Sequence, residues 1–161
     1  MEKWDIYDEN EKRTGRFCYR ETHDLKDGEY HLGVQTWIVN SKGELLLTQR
    51  AATKDTNPLL WECTCGSALY GEDAKAGMIR ELKEEIGLSV KREELEVLEV
   101  FKNPDRHVII YIFTMKKDLE ISDLIFSDKE VIDAKWVTKE ELNKMNENNE
   151  LVPARALKYF L

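Results

Sequence analysis

The chain predicts an α/β fold, with a mixed β-sheet between helices packed on both of its faces. Three observations lead there. Strand-like runs bounded by turn residues lie on both sides of one amphipathic helix. The run "HVIIYIFTM" is almost wholly apolar at its centre, as a strand buried on both faces would be. The length of 161 residues suits one domain with a real core, whereas two domains would each be marginal. We therefore read residues 1–161 as a single domain, with residues 1–30 as an N-terminal strand extension.

In chain order, "WDIYDENEKRTGRFCYR" reads as two short strands around a polar turn at Asp8–Lys12. "EYHLGVQTWIVNSKGELLLTQR" reads as a strong hairpin, with strands at Val34–Val39 and Glu44–Gln49 and "NSKG" as the turn. "AATKDTNPLLWECTCG" reads as a loop in which Pro58 prevents regular helix. The next segment, to Ile86, is helical. Asp73 caps it, Ala74, Met78, Leu82 and Ile86 form one apolar stripe, and Gly87 stops it. "ELEVLEVF", "HVIIYIFTM" and "AKWV" are strands. Thr138 and Glu141 stand at capping-box spacing and open a second helix; "VPARALKYFL" predicts a third, with Pro153 near its first turn.

Charge and composition exclude several classes of function. A net charge of −8 argues against a nucleic-acid backbone or an anionic membrane surface as partner. Small phosphorylated molecules remain open if a cation mediates the contact. Cys18, Cys63 and Cys65 make an odd count, and the N-terminus has no apolar run suited to export, so a cytoplasmic location is the expectation. A zinc site is not expected, because Cys63 and Cys65 lack a second pair or spaced histidines.

The predicted helix raises a question. Glu81, Glu84 and Glu85 share one side of it, where like charges repel. A solvated acidic face is the plain reading. The alternative is a hard-cation site: oxygen ligands select Mg²⁺, Mn²⁺ or Ca²⁺, and Mg²⁺ commonly combines one or two carboxylates with substrate phosphates. An acidic cleft would then become a receptor for a polyphosphate.

Gly66, Glu72 and "RELKEEIGL" occupy, with correct internal spacing, every fixed position of the Nudix box over 23 contiguous residues, and the chain resembles the Nudix family. The resemblance implies an α/β/α sandwich and attack of water on a phosphorus of a diphosphate linkage, with Mg²⁺, or Mn²⁺ in its place, as cofactor. It implies that Glu84 and Glu85 bind the metal, that Glu81 is a further ligand or the base, and that Arg80 holds the glutamates by ion pairing. Glu72 would brace the loop, and the Gly66 carbonyl would turn toward the metal. Glu130 is the candidate for an additional glutamate outside the box. Arg50 and Lys54 are candidate phosphate-binding residues, and Trp61 is a candidate wall of the substrate pocket. The partner expected is a small diphosphate, and the first hairpin offers an edge on which a second copy could pair as a homodimer.

The stretch from His31 to Gly66 is also similar to isopentenyl-diphosphate isomerase, through His31, the Asn40–Leu47 turn, Arg50–Lys54, Trp61 and Cys65–Gly66, with His23 as a second early histidine. The chain departs from that enzyme at Ser67, where a histidine is expected, and in lacking a Glu-x-Glu near "NPDRHVIIYIF". A diphosphate hydrolase is the leading expectation and the isomerase the alternative; a nucleotide-sensing module is a third, against which the intact glutamates count. Cys65 as an acid, and His31 or His23 as ligands, remain open at this stage.

Overall fold

The computed structural model describes residues 1–127 and 129–161. Strands β1 (Lys3–Tyr7) and β2 (Arg13–Tyr19) form an N-terminal antiparallel pair. The main sheet contains β3 (His31–Val39), β4 (Leu45–Arg50), β5 (Trp61–Glu62), β6 (Thr64–Ser67), β7 (Glu96–Asn103), β8 (Val108–Lys116) and β9 (Val131–Val137). Helix α1 (Ala74–Ile86) follows β6, and α2 (Lys139–Glu147) follows β9.

The expected hairpin forms its turn but not its ladder. Asn40 and Gly43 close the turn, with Gly43 N–H donating to Asn40 O at 3.1 Å. Only Val39 and Leu45 then pair, and the strands splay apart. β3 instead runs parallel to β8 along its whole length, and β6 lies antiparallel on its other side. β4 takes β9 and β5. The segment read as a loop before Gly66 therefore contains β5 and β6, which bridge the two halves of the split sheet. They are short and pair with different neighbours, so neither gives a readable alternation of its own.

Alternate β3 side chains serve opposite cores. Leu32, Val34 and Ile38 join Met78, Leu82 and Ile86 of α1. Trp37 faces Leu142 and Met145 of α2 with Leu151 and Leu157. β8 does the same, with Ile109 and Phe113 on the α1 side and Ile112 on the other, as its apolar run predicts. The result is a mixed sheet between helical layers. The final segment is a 3₁₀ turn at Arg155–Tyr159, not an α-helix. One short turn that anchors Ala156 and Leu157 in the core lacks the length over which α-helical bonding propagates.

Both helix starts form as predicted. Asp73 Oδ1 accepts from Ala76 N–H at 2.8 Å, and Thr138 and Glu141 bond reciprocally. Gly87 ends α1 at φ 69°, a left-handed conformation that suits glycine. The N-terminal pair docks through Asp5, which accepts from Gly71 N–H at 2.8 Å in the loop before α1. No helix among the described residues is long and apolar enough to cross a membrane. Leu82 is fully buried between α1 and the sheet. Leu82→Ala should therefore lower unfolding stability by about 2–5 kcal/mol in a urea titration, while Lys83→Ala on the exposed face should change it by less than about 0.5 kcal/mol.

Candidate active site

A cavity of about 380 Å³ opens over α1, with β6 and the 127–131 segment as its other walls. Glu81, Glu84 and Glu85 all line it, so the three carboxylates of one helix share a single space. Helical spacing puts them on one side; Ala74, Met78, Leu82 and Ile86 turn that side away from the core.

Arg80 organises this face. Its Nε donates to Glu72 Oε1 at 2.8 Å, and its Nη1 donates to Glu81 Oε1 at 3.1 Å and Glu84 Oε2 at 3.0 Å. Nη2 donates to Ser67 O at 2.8 Å and to Glu72 Oε2 at 3.2 Å. Burial works against the guanidinium's charge, but the hydrogen bond to Glu72 and the charges of Glu81 and Glu72 outweigh it and hold it ionised more firmly than usual. Glu72 also accepts from Leu69 N–H at 2.8 Å, which fixes the loop between β6 and α1. Gly66 makes room for Glu81: a Cβ there would stand 2.3 Å from the Glu81 carboxyl carbon.

Glu85 is the opposite case. Among the described residues its carboxylate makes no hydrogen bond. Burial first, then the charges of Glu81, Glu62 and Glu130, push its pKa up to about 9, against a smaller opposing effect from Lys54. Burial also raises Glu81, despite Arg80. The cationic side of the cavity is made by Arg50, Lys54 and Arg20. Arg50 Nη1 donates to Glu62 Oε1 at 2.7 Å, and Lys54 pairs with Glu130.

The donor set fits a hard divalent cation. It is made of carboxylate oxygens, and the unpartnered Glu85 lacks the positive neighbour that would let it ionise. No three acidic, histidine or cysteine side chains converge into a closed cage among the described residues, since Arg80 holds both Glu81 and Glu84. A cation of the Mg²⁺ type suits such an open arrangement, because it retains waters and accepts substrate oxygens.

Other predicted residues fall differently. Glu130 stands at the cavity mouth just before β9, paired with Lys54. Trp61 lines a neighbouring cavity on the far side of the sheet, and the Lys135 ammonium lies 4.3 Å from its ring centre. Along β5–β6, residues 61, 63 and 65 point one way and 62, 64 and 66 the other. His31 is buried and stacked on Trp4 at 3.9 Å, and burial first and the nearby His23 second lower its pKa to about 4, so it is neutral at neutral pH. Burial raises the Cys65 thiol well above its usual range, and its Sγ is 3.6 Å from Glu62 Oε2. Two cavity residues were not anticipated. Glu62 would have been found by reading "WECTCG" as a strand, with glutamate on the glycine side. Arg20 gave no signal, because only the docking of the N-terminal pair brings it there.

The NUDIX domain model matches residues 29–159. The chain belongs to the Nudix family. An uncharacterized Nudix hydrolase of Listeria monocytogenes is 34% identical to it over 154 residues, spanning 95% of this chain and 89% of that one. The chloroplastic isopentenyl-diphosphate Delta-isomerase 1 of Cannabis sativa is 29% identical over 87% of this chain but only 56% of its own length. Among solved structures, a MutT protein of Methanosarcina mazei superposes with a TM-score of 0.62 at 28% identity, over 81% of this chain and 90% of that one. A Deinococcus radiodurans protein gives 0.77 at 19% identity over 99% and 97% of the two chains, a likeness of fold alone. The NUDIX match starts at residue 29, so most of the N-terminal strand pair lies outside it.

The raised Glu85 pKa makes a pH prediction. Its unfolded-state value is near 4.5 and its folded value about 9, so between these pH values the folded state binds the extra proton. That contribution to stability is fully present below about pH 4.5 and is lost as pH rises toward 9, at no more than ~1.4 kcal/mol per pH unit. In EDTA, the melting temperature of Glu85→Gln should fall less between pH 5 and about 9 than that of the unchanged protein. Parallel pH profiles for the two proteins would contradict the assignment.

Proposed function

We propose that this Nudix-family enzyme is a divalent-metal-dependent pyrophosphohydrolase that cleaves a diphosphate linkage in a small molecule by attack of water on phosphorus. The observation that carries this reading is the crowding of Glu62, Glu81, Glu85 and Glu130 in one cavity opposite Arg50 and Lys54. Carboxylates alone would repel a diphosphate, and cations alone would not need the carboxylates.

Glu81, Glu84 and Glu85, beside the Gly66 main chain, are the residues that would hold Mg²⁺ or Mn²⁺. The metal supplies polarisation of the phosphoryl oxygens and a more acidic water. Arg80 keeps Glu81 and Glu84 oriented and uses every arm of its guanidinium to do so, which a lysine could not reproduce. Arg50 and Lys54 bind the phosphate oxygens and thereby neutralise the charge brought in by the substrate. Glu130 and Glu81 are the candidate proton acceptors for the attacking water. Lys54 leaving Glu130 for a phosphate would free that carboxylate to act as a base.

A second reading is proton transfer at carbon, the isomerase chemistry. One contact favours it: the neutral Cys65 thiol and the Glu62 carboxylate face each other at 3.6 Å, a donor and an acceptor in one cavity. Ser67 in place of a histidine counts against it.

Incubation with a panel of diphosphates in Mg²⁺ or Mn²⁺ should release phosphate or a phosphomonoester. Glu85→Gln and Glu84→Gln should each lower kcat by at least about 100-fold, and Cys65→Ala by less than about threefold. Metal-dependent hydrolysis that survives the Glu84→Gln/Glu85→Gln double substitution rules out the assignment. Interconversion of the two five-carbon diphosphates, lost in Cys65→Ala, establishes the isomerase instead.

A further inference from the structure

We infer that the far face of the sheet binds the group attached to the diphosphate, and that this group is a compact, uncharged heterocycle with adjacent N–H and C=O groups. The inference rests on the pyrophosphohydrolase reading and names its substrate class. A cavity of about 190 Å³ lies between β3, β5 and the segment 151–157. Its walls are largely apolar and include Trp37, Leu47, Trp61, Leu151, Pro153 and Leu157.

Two polar atoms interrupt this surface. Gln35 Oε1 and Trp37 Nε1 are buried, and neither has a hydrogen-bond partner. Trp37 is only 1% exposed. The two residues are two apart on β3, so they face the same side of the sheet and line the same cavity. Folded proteins seldom leave such groups unpaired, because a buried donor or acceptor without a partner is destabilising. One is an acceptor and the other a donor. A lactam edge, with N–H beside C=O, satisfies both at once.

The same pair discriminates between ligands. An isoprenoid group would fill the space and leave both atoms unpaired. A charged group would have to shed its hydration among Leu47, Leu151 and Leu157. The volume is somewhat above the roughly 150 Å³ of a void that accepts a benzene ring, which suits a planar ring system. Trp61 and Trp37 give aromatic walls for it.

The cavity communicates with the glutamates. Glu62 and Cys65 line both spaces. A third groove shares Gly66 and Ser67 with the glutamate cavity, and Gln35, Cys65 and Arg106 with the Trp37 cavity. It follows β6, which pairs with β3 on one side only among the described residues. A substrate can thus pass round the open edge of β6, with its diphosphate over α1 and its ring against Trp61.

The test uses no metal and no diphosphate. Inosine, uridine and, as an apolar control, 3-methylbut-3-en-1-ol are titrated into the full-length protein in EDTA, followed by tryptophan fluorescence and by heat. At least one nucleoside should bind saturably and the alcohol should not. Gln35→Leu should weaken nucleoside binding about tenfold or more, the loss of one buried hydrogen bond, and should raise the melting temperature of the unliganded protein. A glutamine with a purely structural role would give a lower melting temperature instead. Trp37→Phe, which deletes the N–H and keeps a ring, should also weaken binding. Absence of saturable nucleoside binding, equal binding of the alcohol, or unchanged affinity in both variants overturns the inference. Diphosphate hydrolysis without nucleoside binding would sink the pocket and leave the hydrolase reading intact; nucleoside binding without hydrolysis would do the reverse.

Discussion

Arg80 touches Glu72, Glu81, Glu84 and the Ser67 carbonyl, while Glu85, one position beyond Glu84, is left without a partner. This uneven distribution of positive charge is the constraint on which the site depends. A helix that crowded carboxylates with no counterion would lose stability through repulsion and desolvation. A helix whose carboxylates were all paired would have nothing left to offer a metal. Here one guanidinium stabilises the arrangement and one buried carboxyl remains to attract a cation.

The rest of the fold serves that arrangement. The apolar stripe of α1 packs against β3 and β8 and fixes the helix's rotation, so the glutamates face outward. Gly66 lets β6 approach until its strand backbone lies beside Glu81. The splay of β3 from β4 gives β5 and β6 a place to bridge, and that brings Glu62, Arg50 and Lys54 opposite the helix. Each step follows from packing that has nothing to do with phosphate chemistry.

Much of this was legible in the sequence because local rules write it. The 3.6-residue stripe, the Asp73 and Thr138 caps and the Gly87 stop depend on neighbours within a few residues, and they form as read. The apolar run of β8 announced burial on two faces. What escaped was set by distant partners. Nothing local says that Val39 and Leu45 pair once and then part, or that "WECTCG" becomes two strands on different neighbours. The same holds for the site: the helix glutamates and Arg80 were visible as a spaced motif, whereas Glu62 and Arg20 enter the cavity only through tertiary packing. Trp61 was expected near the glutamates but points to the opposite side of the sheet, because a two-residue period puts it on the face away from Glu62.

The central claim is that Glu85 is kept protonated by its surroundings and gives up that proton to make room for a divalent cation. Calorimetric titration of Mg²⁺ at pH 7, in two buffers of different ionisation enthalpy, counts the protons released on binding. The account predicts a release of about one proton per chain, largely abolished in Glu85→Gln. Binding of Mg²⁺ with the same heat in both buffers, and hence no proton release, would contradict it.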